Sequence, residues 1–396
     1  MKKLVLAYSG GLDTSYCLKT LSQEGYEVHA VSVNTGGFSP TEVEEQEKKA
    51  YAMGATTYKS IDALSTFYDR IVKYLIYGNV LKNNTYPLSV SAERIIQAIE
   101  IIEYAKSIEA KYIAHGSTGA GNDQVRFDLT FQVLAPHIEI ITPIRDQQLS
   151  REAEIEYLKS QGIDIPWEKA QYSINQGLWG TSVGGAETLT SHQSLPENAY
   201  PSQLTSHTPK QIKLQFTRGE LTAIDDTQGT AVALIQQLQD MAKSYAIGRD
   251  IHVGDTIIGI KGRVGFEAAA PMIIIKAHHL LEKHTQSKWQ QFQKEQQASF
   301  YGMQLHEGNF LDPVMRDIEA FLESSQANVT GEVFLTLKPY QFELEGIQSS
   351  YDLMNADFGS YGEMNKGWTA EEAKGFIKIA ANAHKIYNQV NAKTKK

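Results

Sequence analysis

Residues 3–15 read Lys-Leu-Val-Leu-Ala-Tyr-Ser-Gly-Gly-Leu-Asp-Thr-Ser, and this stretch decides the predicted fold. The apolar run from Leu4 to Tyr8 predicts a buried strand, and residues 16–21 predict a helix soon after it. The Gly10-Gly11 turn between them can present backbone N–H groups to an anion, and the start of the helix adds partial positive charge. We therefore expect a phosphate-binding loop here; the alternative is a Gly-Gly turn with a structural role only.

Further apolar runs alternate with helix-like segments through the first half of the chain. A helix is predicted to begin near Thr41, where Thr41 and Glu44 make a capping-box pattern, and a longer one covers Ala92–Ala110. The additional predicted strands are Glu27–Asn34, Thr57–Ile61, Tyr112–Ala114 and Ile138–Ile141. This alternation predicts an α/β fold whose parallel sheet is covered on both faces and binds ligands beyond the carboxyl ends of its strands.

The composition changes after about residue 170. Residues 171–206 are rich in Gly, Ser, Thr, Asn and Pro, which predicts a long functional loop between domains. We expect a nucleotide-binding domain over 1–170, a second, α+β domain over 171–365 and a C-terminal oligomerisation helix over 366–396. The predicted elements of the second domain are a hairpin over Ile212–Ile224 turning at Arg218-Gly219, a helix over Ala231–Tyr245, and strands at Ile257–Ile260, Met272–Ile275 and Val329–Leu337.

The C-terminal segment has the pattern of an amphipathic helix. Thr369 and Glu372 form a second capping box at its start. The apolar residues that follow share one helical stripe: Ala373, Phe376, Ile377, Ala380, Ala383, Tyr387 and Val390. This stripe packs either on its own domain or on another subunit, and the pattern alone does not distinguish the two.

The composition excludes several function classes. Lys and Arg total 37 against 46 Asp and Glu, so the net charge of −9 argues against broad, charge-driven binding of nucleic acid. The single cysteine, Cys17, excludes an internal disulfide and an all-cysteine zinc site. The sequence shows no leader pattern and no run of about 18 apolar residues, so we expect a cytoplasmic protein without a membrane partner.

The first motif resembles the pyrophosphate-binding loop of the N-type ATP pyrophosphatases. In that superfamily the loop holds the β- and γ-phosphates of ATP while a substrate oxygen attacks the α-phosphate, with Mg²⁺ assisting. The resemblance therefore implies ATP and Mg²⁺ as cofactors. The residues that match ATP-lining positions are Ala7, Tyr8, Ser9, Gly10, Gly11, Leu12, Asp13, Thr14, Ser15, Val33 and Gly116.

Composition separates several members of this superfamily. The thiolating tRNA enzymes need a reactive cysteine pair, and the deazaguanine-forming enzymes need a four-cysteine zinc site. The asparagine and GMP synthetases carry a glutaminase domain with a nucleophilic cysteine, and the lysidine-forming ligase would be more basic. One cysteine and a net charge of −9 fit none of these.

A second motif, residues 115–127 (His-Gly-Ser-Thr-Gly-Ala-Gly-Asn-Asp-Gln-Val-Arg-Phe), resembles the signature of the argininosuccinate synthases. Read on its own, it is a Gly-rich loop with polar groups suited to two amino acids; a Gly-rich turn capped by Asn and Asp is the alternative. The resemblance implies citrulline-binding residues at Tyr86, Ser91, Asn122, Arg126, Ser173 and Ser182, and aspartate-binding residues at Thr118, Asn122 and Asp123.

The resemblance implies a two-step ligase reaction. The citrulline ureido oxygen attacks ATP to give citrullyl-AMP and pyrophosphate, and aspartate then displaces AMP to give argininosuccinate. Asp13 and Asp123 are the candidate catalytic residues: Asp13 orients the first loop or reaches a metal, and Asp123 steers or deprotonates the aspartate amine. No metal site held by the protein alone is expected. The family also implies a homotetramer, with the C-terminal stripe reaching a neighbouring subunit.

Three positions depart from the family pattern. Ala120 stands where the family has a lysine, Gly254 where it has a glutamate, and Phe266 where it has a tyrosine. The last two positions contact citrulline in the family, and Asp255 or Glu267 are candidates to compensate. The departures at Gly254 and Phe266 keep open an ATP pyrophosphatase with another ureido or amide acceptor. Two further alternatives are a non-catalytic nucleotide-binding module and a tRNA-modifying enzyme.

Overall fold

The structure is a computed structural model that describes residues 2–163, 172–355, 359, 361–363 and 367–394. By its internal contacts the chain divides into two units, Met1–Ser350 and Tyr351–Lys396. The predicted boundaries after residues 170 and 365 fall outside the described residues, so the division into three parts stays a prediction. Within the described ranges, every helix is too short or too polar to cross a membrane.

The first unit begins with a five-stranded parallel sheet, and all five strands were predicted from their apolar runs. They are β1 (Lys2–Ala7), β2 (Tyr26–Asn34), β3 (Thr57–Asp62), β4 (Tyr112–Ala114) and β5 (Glu139–Ile141). The order is β3-β2-β1-β4-β5, so the chain runs outward through β2 and β3 and then returns to the other side of β1. This reversal leaves a crevice beyond the carboxyl ends of β1 and β4, where sheets of this kind bind ligands.

Helices cover both faces of the sheet, which confirms the predicted α/β class. Leu4 and Leu6 of β1 lie in one core and Val5 and Ala7 in another, because successive side chains of a strand point to opposite faces. A π-helical turn follows α3 directly. The helices are α1 (Leu12–Gln23), α2 (Pro40–Met53), α3 (Leu64–Phe67), α4 (Lys73–Tyr77), α5 (Ser89–Ser107), α6 (Asp123–Leu134), α7 (Pro143–Gln147) and α8 (Arg151–Ser160).

The start of α2 differs from the prediction by two residues. The Ser39 hydroxyl, not that of Thr41, accepts a hydrogen bond from the backbone N–H of Glu42. The Glu42 carboxylate in turn accepts one from the backbone N–H of Ser39 at 2.8 Å. Pro40 explains the shift, because proline is preorganised for the first helical position and has no N–H to leave unpaired there.

Between residues 172 and 350, all of which the structure describes, the first unit contains two antiparallel sheets and four α-helices, which confirms the predicted α+β organisation. The strands are β6 (Ser173–Gly177), β7 (Gly180–Gly184), β8 (Lys210–Thr217), β9 (Glu220–Ile224), β10 (Thr227–Gln228), β11 (Arg249–Asp255), β12 (Lys261–Glu267), β13 (Gly331–Lys338) and β14 (Gln341–Gln348). One sheet has the order β11-β12-β7-β6 and the other β10-β9-β8-β13-β14. The helices are α9 (Ala231–Lys243), α10 (Ala269–Thr285), α11 (Lys288–His306) and α12 (Pro313–Ser325).

Two of the predicted strands are wrong. Residues 257–260 form the turn between β11 and β12, with Ile260 largely exposed and Gly259 at a positive φ of 84°. Residues 272–275 belong to α10, where Ile273, Ile274 and Ile275 are all buried. A short apolar run has no measurable period, so it fits a buried helix as well as a strand.

The Gly-rich segment after residue 171 is not a plain loop, contrary to the prediction. It contains the β6–β7 hairpin and two short 3-10 turns, Ala186–Leu189 and Glu197–Ala199. The hairpin turn is held by Trp179, whose buried indole N–H donates to the Pro87 carbonyl at 3.0 Å. Gly180 follows at a φ of 112°, which favours glycine.

The second unit contains two consecutive helices, α13 (Ala370–Ala380) and α14 (Asn382–Thr394), where one was predicted. The predicted capping box of Thr369 and Glu372 is present at the start of α13. Ala381 separates the helices, so the predicted stripe runs across both. Its larger side chains, Phe376, Ile377, Tyr387 and Val390, are exposed.

A buried ion pair fixes α11, which ends at His306 in the cavity described below. Lys294 Nζ of α11 lies 2.6 Å from Glu282 Oε2 of α10 and donates to the Tyr77 carbonyl of α4 at 2.8 Å. Both charged side chains are only 1% exposed. Each ion needs the other, because an uncompensated buried charge is costly.

We predict that Lys294→Met destabilises the fold by about 3–5 kcal/mol, since it leaves the Glu282 carboxylate buried without its cation. The control is Lys106→Met, which removes the more exposed pair with Glu103 and should cost about 0–1 kcal/mol. Urea unfolding of both variants measures the two losses. Equal losses would contradict the assignment of Lys294 as the anchor of α11.

Candidate active site

A cavity of about 900 Å³ lies at the carboxyl ends of β1 and β4. Its walls come from the loops after these strands, from α5, from the β6–β7 hairpin and from β11, β12 and the end of α11. Of the residues predicted from the sequence as site residues, all line the cavity except Gly10 and Ser15. The Ser15 side chain is fully buried, and the Cα of Gly10 faces Gln46.

The first loop closes on itself through short polar side chains. The Gly11 N–H donates to Ser9 Oγ at 3.4 Å, and Thr14 Oγ1 donates to the Gly11 carbonyl at 3.3 Å. Gly10 has a φ of 74°, a conformation that favours glycine and turns the chain sharply. The loop leads into α1 at Leu12, so backbone N–H groups and the positive end of the helix face the same space.

A second carboxyl group lies beside Asp13 of this loop. Burial and the neighbouring Asp13 carboxylate raise the pKa of Glu154 to about 8. With this pKa, Glu154 is largely protonated at neutral pH and adds little negative charge beside the first loop.

The second loop lies directly against the first. A Cβ built on Gly116 would lie 3.1 Å from Asp13, a tighter contact than most Cβ atoms make, so glycine favours this close approach of the two backbones. His115 holds the start of the loop: its Nδ1 accepts from the Ser117 N–H at 3.2 Å, and its Nε2 donates to Asp128 at 2.7 Å. Asp128 also pairs with Arg145 at 2.8 Å, which fixes the orientation of the imidazole.

Asp123 is held between two guanidinium groups. Arg94 Nε donates to one carboxylate oxygen at 3.0 Å, and Arg126 Nη1 donates to the other at 2.8 Å. Burial acts to raise the pKa of Asp123, but the two arginines outweigh it and lower that pKa. Asp123 therefore stays ionised and is a weak proton acceptor. Such a carboxylate is better suited to attracting a cation than to removing a proton from it.

Arg126 also joins the parallel sheet region to the later part of the unit. Its Nε and Nη2 donate to the carbonyl of His306, at 3.0 and 2.8 Å. The Asn122 side-chain oxygen makes a similar link by accepting from the backbone N–H of Ile257 at 2.8 Å. The second loop is thus fixed by segments 135 and 180 residues further along the chain.

Comparison with known proteins agrees with this geometry. Two family descriptions match the chain: "Arginosuccinate synthase N-terminal HUP domain" over residues 3–164 and "Arginosuccinate synthase C-terminal domain" over residues 172–387. The chain belongs to the argininosuccinate synthase family. Enzymes of this family are ligases.

Curated argininosuccinate synthases match over nearly their whole length. The protein of Xanthomonas campestris is 34% identical over 98% of this chain and 99% of its own length. That of Methanocaldococcus jannaschii is 36% identical over 94% of this chain and 95% of its own length. A solved structure described as a predicted subunit of tRNA methyltransferase covers 41% of this chain and 89% of its own at 16% identity, and its TM-score of 0.28 is too low to support an argument.

The residues that match citrulline positions in the argininosuccinate synthases form one wall of the cavity. Tyr86 accepts a hydrogen bond from the Val90 N–H at 3.1 Å and stacks on His252, with ring centroids 5.2 Å apart. Ser91 bonds to His306 Nδ1 at 3.2 Å. Ser173 and Ser182 lie on β6 and β7, at the hairpin face that lines the cavity.

The positions that depart from the family pattern occupy different surroundings. Gly254 and Asp255 line the cavity, and Asp255 pairs with Lys261 at 2.6 Å. Phe266 is fully buried and packs on Tyr86, with ring centroids 5.4 Å apart. Glu267 is buried in an ion pair with Arg249 at 2.9 Å and does not line the cavity, so of the two candidates to compensate only Asp255 is placed to do so.

The polar cavity residues that sequence reasoning missed include Glu93, Arg94, His252 and His306. Glu93 and Arg94 are two adjacent charged residues inside the otherwise apolar sequence of α5. Charged residues in such a sequence could have been recognised as candidates for the site. The two histidines gave no such signal, because they are far from both motifs in the sequence. Within the described residues, His252 Nδ1 and His306 Nε2 are buried without a hydrogen-bond partner.

We predict that Gly10→Ala weakens pyrophosphate binding by about tenfold, or about 1.4 kcal/mol. A Cβ at a φ of 74° is strained and would contact Gln46 at 3.1 Å, so the loop would lose the alignment of its N–H groups. Calorimetric titration with pyrophosphate measures the effect.

Gly25→Ala is the matched control. Gly25 also has a positive φ, 86°, but a Cβ there meets no atom within 4 Å. Both substitutions should cost about 1–2 kcal/mol of stability, and only Gly10→Ala should change the affinity. Equal affinities in the two variants would show that the first loop does not bind the anion.

Proposed function

We propose that the protein is an argininosuccinate synthase that condenses citrulline with aspartate at the expense of ATP, through citrullyl-AMP. The products are argininosuccinate, AMP and pyrophosphate. The observation that carries the proposal is the contact between the two motif loops, where Gly116 lies against Asp13 in one cavity. A phosphate cradle and an amino-acid site that share a wall suit a reaction between ATP and an amino acid.

In the first step, the ureido oxygen of citrulline attacks the α-phosphorus of ATP. Residues 9–14 and the start of α1 are proposed to hold the β- and γ-phosphates, and Ala7 and Val33 to line the nucleotide. Negative charge grows on the departing pyrophosphate, so N–H groups that are already aligned stabilise the transition state more than the ground state. Adenylation is needed because a neutral urea is a poor electrophile.

Mg²⁺ enters the proposal as the ion that accompanies ATP. The Asp13 carboxylate and the hydroxyls of Ser9 and Thr14 line the cavity at the first loop. These oxygen donors fit a cation that usually binds through one or two carboxylates together with substrate phosphates. When bound, the ion would neutralise charge on the pyrophosphate.

In the second step, the amine of aspartate attacks the activated ureido carbon and displaces AMP. Thr118, Asn122 and Asp123 are proposed to bind aspartate, with the ionised Asp123 carboxylate attracting its ammonium group. Asn122 and Arg126 are also proposed to face citrulline. Aspartate and citrulline would then lie on either side of the residues at the start of α6. Much of the rate enhancement then comes from positioning the reacting atoms.

The citrulline end of the cavity supports the proposal least, because of Gly254 and Phe266. Tyr86, Ser91, Ser173 and Ser182 are proposed to bind citrulline there, with Asp255 as a partner for its ammonium group. The competing proposal is a different ureido acceptor at the same site. That alternative arises because Gly254 lacks the carboxylate and Phe266 lacks the hydroxyl that the family has at these two positions.

The test is pyrophosphate release from MgATP, with citrulline and aspartate added singly and together. We expect full turnover only with both amino acids, and a product that contains both skeletons. Binding of ATP without citrulline-dependent release of pyrophosphate would overturn citrulline as the acceptor. A panel of other ureido compounds under the same conditions would then identify the acceptor class.

The proposal includes a homotetramer in which the apolar stripe of α13 and α14 contacts a neighbouring subunit. The exposure of Phe376, Ile377 and Tyr387 supports it, since such a stripe is costly to leave in water. The cytoplasmic location inferred from the sequence also stays a prediction.

We predict that deleting residues 369–396 lowers the number of subunits in the assembly, calculated from the mass that analytical ultracentrifugation measures. Ile377→Asp should act in the same way, because it places a charge on the apolar stripe. Lys378→Asp, one residue along and outside the stripe, is the matched control and should keep the mass of the parent protein. An unchanged number of subunits after the deletion would refute the stripe as a subunit contact.

A further inference from the structure

Glu93 of α5 is a buried carboxyl group in the wall of the cavity, and neither motif includes it. Its side chain is 2% exposed, and it lines the cavity together with Arg94, Asp123 and Asn175. Within the described part of the chain, its Oε1 has no hydrogen-bond partner. A buried polar atom without a partner is costly, so its presence in a reaction cavity points to a ligand or a proton that it serves.

The β6–β7 hairpin is shaped around this carboxyl group. A Cβ built on Gly177 would lie 1.6 Å from Glu93 Oε1 and 2.3 Å from its Cδ. Gly177 does not have a positive φ, so its backbone conformation does not by itself call for glycine. Any larger residue at position 177 would displace the Glu93 carboxyl from the space that it occupies.

Glu93 and Asp123 are two carboxyl groups with opposite environments. Asp123 is paired with both Arg94 and Arg126, whereas Glu93 has no ion pair among the described residues. Burial raises the pKa of Glu93 to about 8; Arg94 and a hydrogen bond from Thr35 act against this rise, and the Asp123 charge adds to it. Tyr86 is also close enough for the Glu93 charge to act on it.

When their surroundings give two carboxyl groups different pKa values, one group can bind a cation while the other accepts or donates a proton. The ionised Asp123 attracts an ammonium group but accepts no proton from it near neutral pH. Glu93 is a far stronger base, and it lines the same cavity as Asp123. An amine nucleophile needs such a base, because an ammonium group has no lone pair with which to attack.

We propose that Glu93 is a catalytic residue of the second step, in which its carboxylate takes a proton from the attacking amine while Asp123 holds that amine in place. This inference rests on the proposed function. It assigns the general base that the two sequence motifs leave unassigned.

The proton and electron balance of the step is complete. One proton leaves the aspartate ammonium for the Glu93 carboxylate, and the freed nitrogen lone pair forms the C–N bond with the ureido carbon. The bond from that carbon to the AMP oxygen breaks, and its electron pair leaves with AMP. The ureido group of citrullyl-AMP carries one positive charge, because a neutral ureido oxygen attacked ATP without losing a proton. The second proton of the aspartate nitrogen passes to the AMP phosphate, so that positive charge stays on the guanidinium group of the product.

The test separates the two steps in Glu93→Gln, which keeps the size of the side chain and removes its basicity. We expect citrulline-dependent exchange of labelled pyrophosphate into ATP to stay close to that of the parent protein. Aspartate-dependent formation of argininosuccinate should fall by about 100-fold or more, the usual contribution of a general base. Glu100→Gln is the matched control, since Glu100 lies two turns along the same helix and does not line the cavity.

Replacement of aspartate by hydroxylamine provides a second readout, because this weakly basic amine is unprotonated at neutral pH and needs no base. We expect Glu93→Gln to release AMP with hydroxylamine as fast as the parent protein does. The parent should lose kcat/KM for aspartate as the pH falls below about 8, when Glu93 becomes protonated, and the variant should lack this titration.

If Glu93→Gln lowered the rates of both steps equally, the inference would be overturned and Glu93 would have a structural role. An equal loss of rate with aspartate and with hydroxylamine would have the same meaning. Retention of the full aspartate rate in Glu93→Gln would overturn it as well. Failure of the parent protein to release pyrophosphate with citrulline would instead overturn the proposed function, and this inference with it.

Discussion

The close approach of two backbone loops, at Gly116 and Asp13, is the constraint on which the cavity depends. The order of the parallel sheet places β1 and β4 side by side, so the loops that follow them meet at one edge. A Cβ at residue 116 would lie 3.1 Å from Asp13, so a larger residue there would require one of the loops to shift. In the proposed reaction one loop holds the phosphate groups and the other holds an amino acid, so the close approach of the loops would bring the reacting groups together.

The charges of the cavity are arranged by neighbours rather than by residue type. Asp123 is kept ionised by two arginines, Glu93 is kept basic by burial, and Glu154 is neutralised beside Asp13. Near neutral pH, Asp123 is therefore ionised, whereas Glu93 and Glu154, each with a pKa of about 8, are largely protonated. In the proposed reaction these carboxyl groups would differ in role because they differ in neighbours: Asp123 would hold a cation, and Glu93 would accept a proton.

The parallel sheet and both motif loops were predictable from the sequence, because their signals are local. Apolar runs marked the strands, and paired glycines marked the loop between β1 and α1. The failures were also local in origin: Met272–Ile275 is too short to show a helical period, and Pro40 moved the cap of α2. Glu93 was missed because its environment is set by Gly177, which lies 84 residues away in sequence and shows no pattern of its own.

The span of the cavity along the chain also affects the order in which it forms during synthesis. Its walls include Ala7 near the start and His306 at the end of α11. At about 5–20 residues per second, a ribosome needs about 15–60 s to add the intervening chain. During that interval the nascent chain has the first loop but lacks the His306 carbonyl that orients Arg126. The part of the cavity proposed to bind the nucleotide is therefore synthesised well before the part proposed to hold both amino acids is complete.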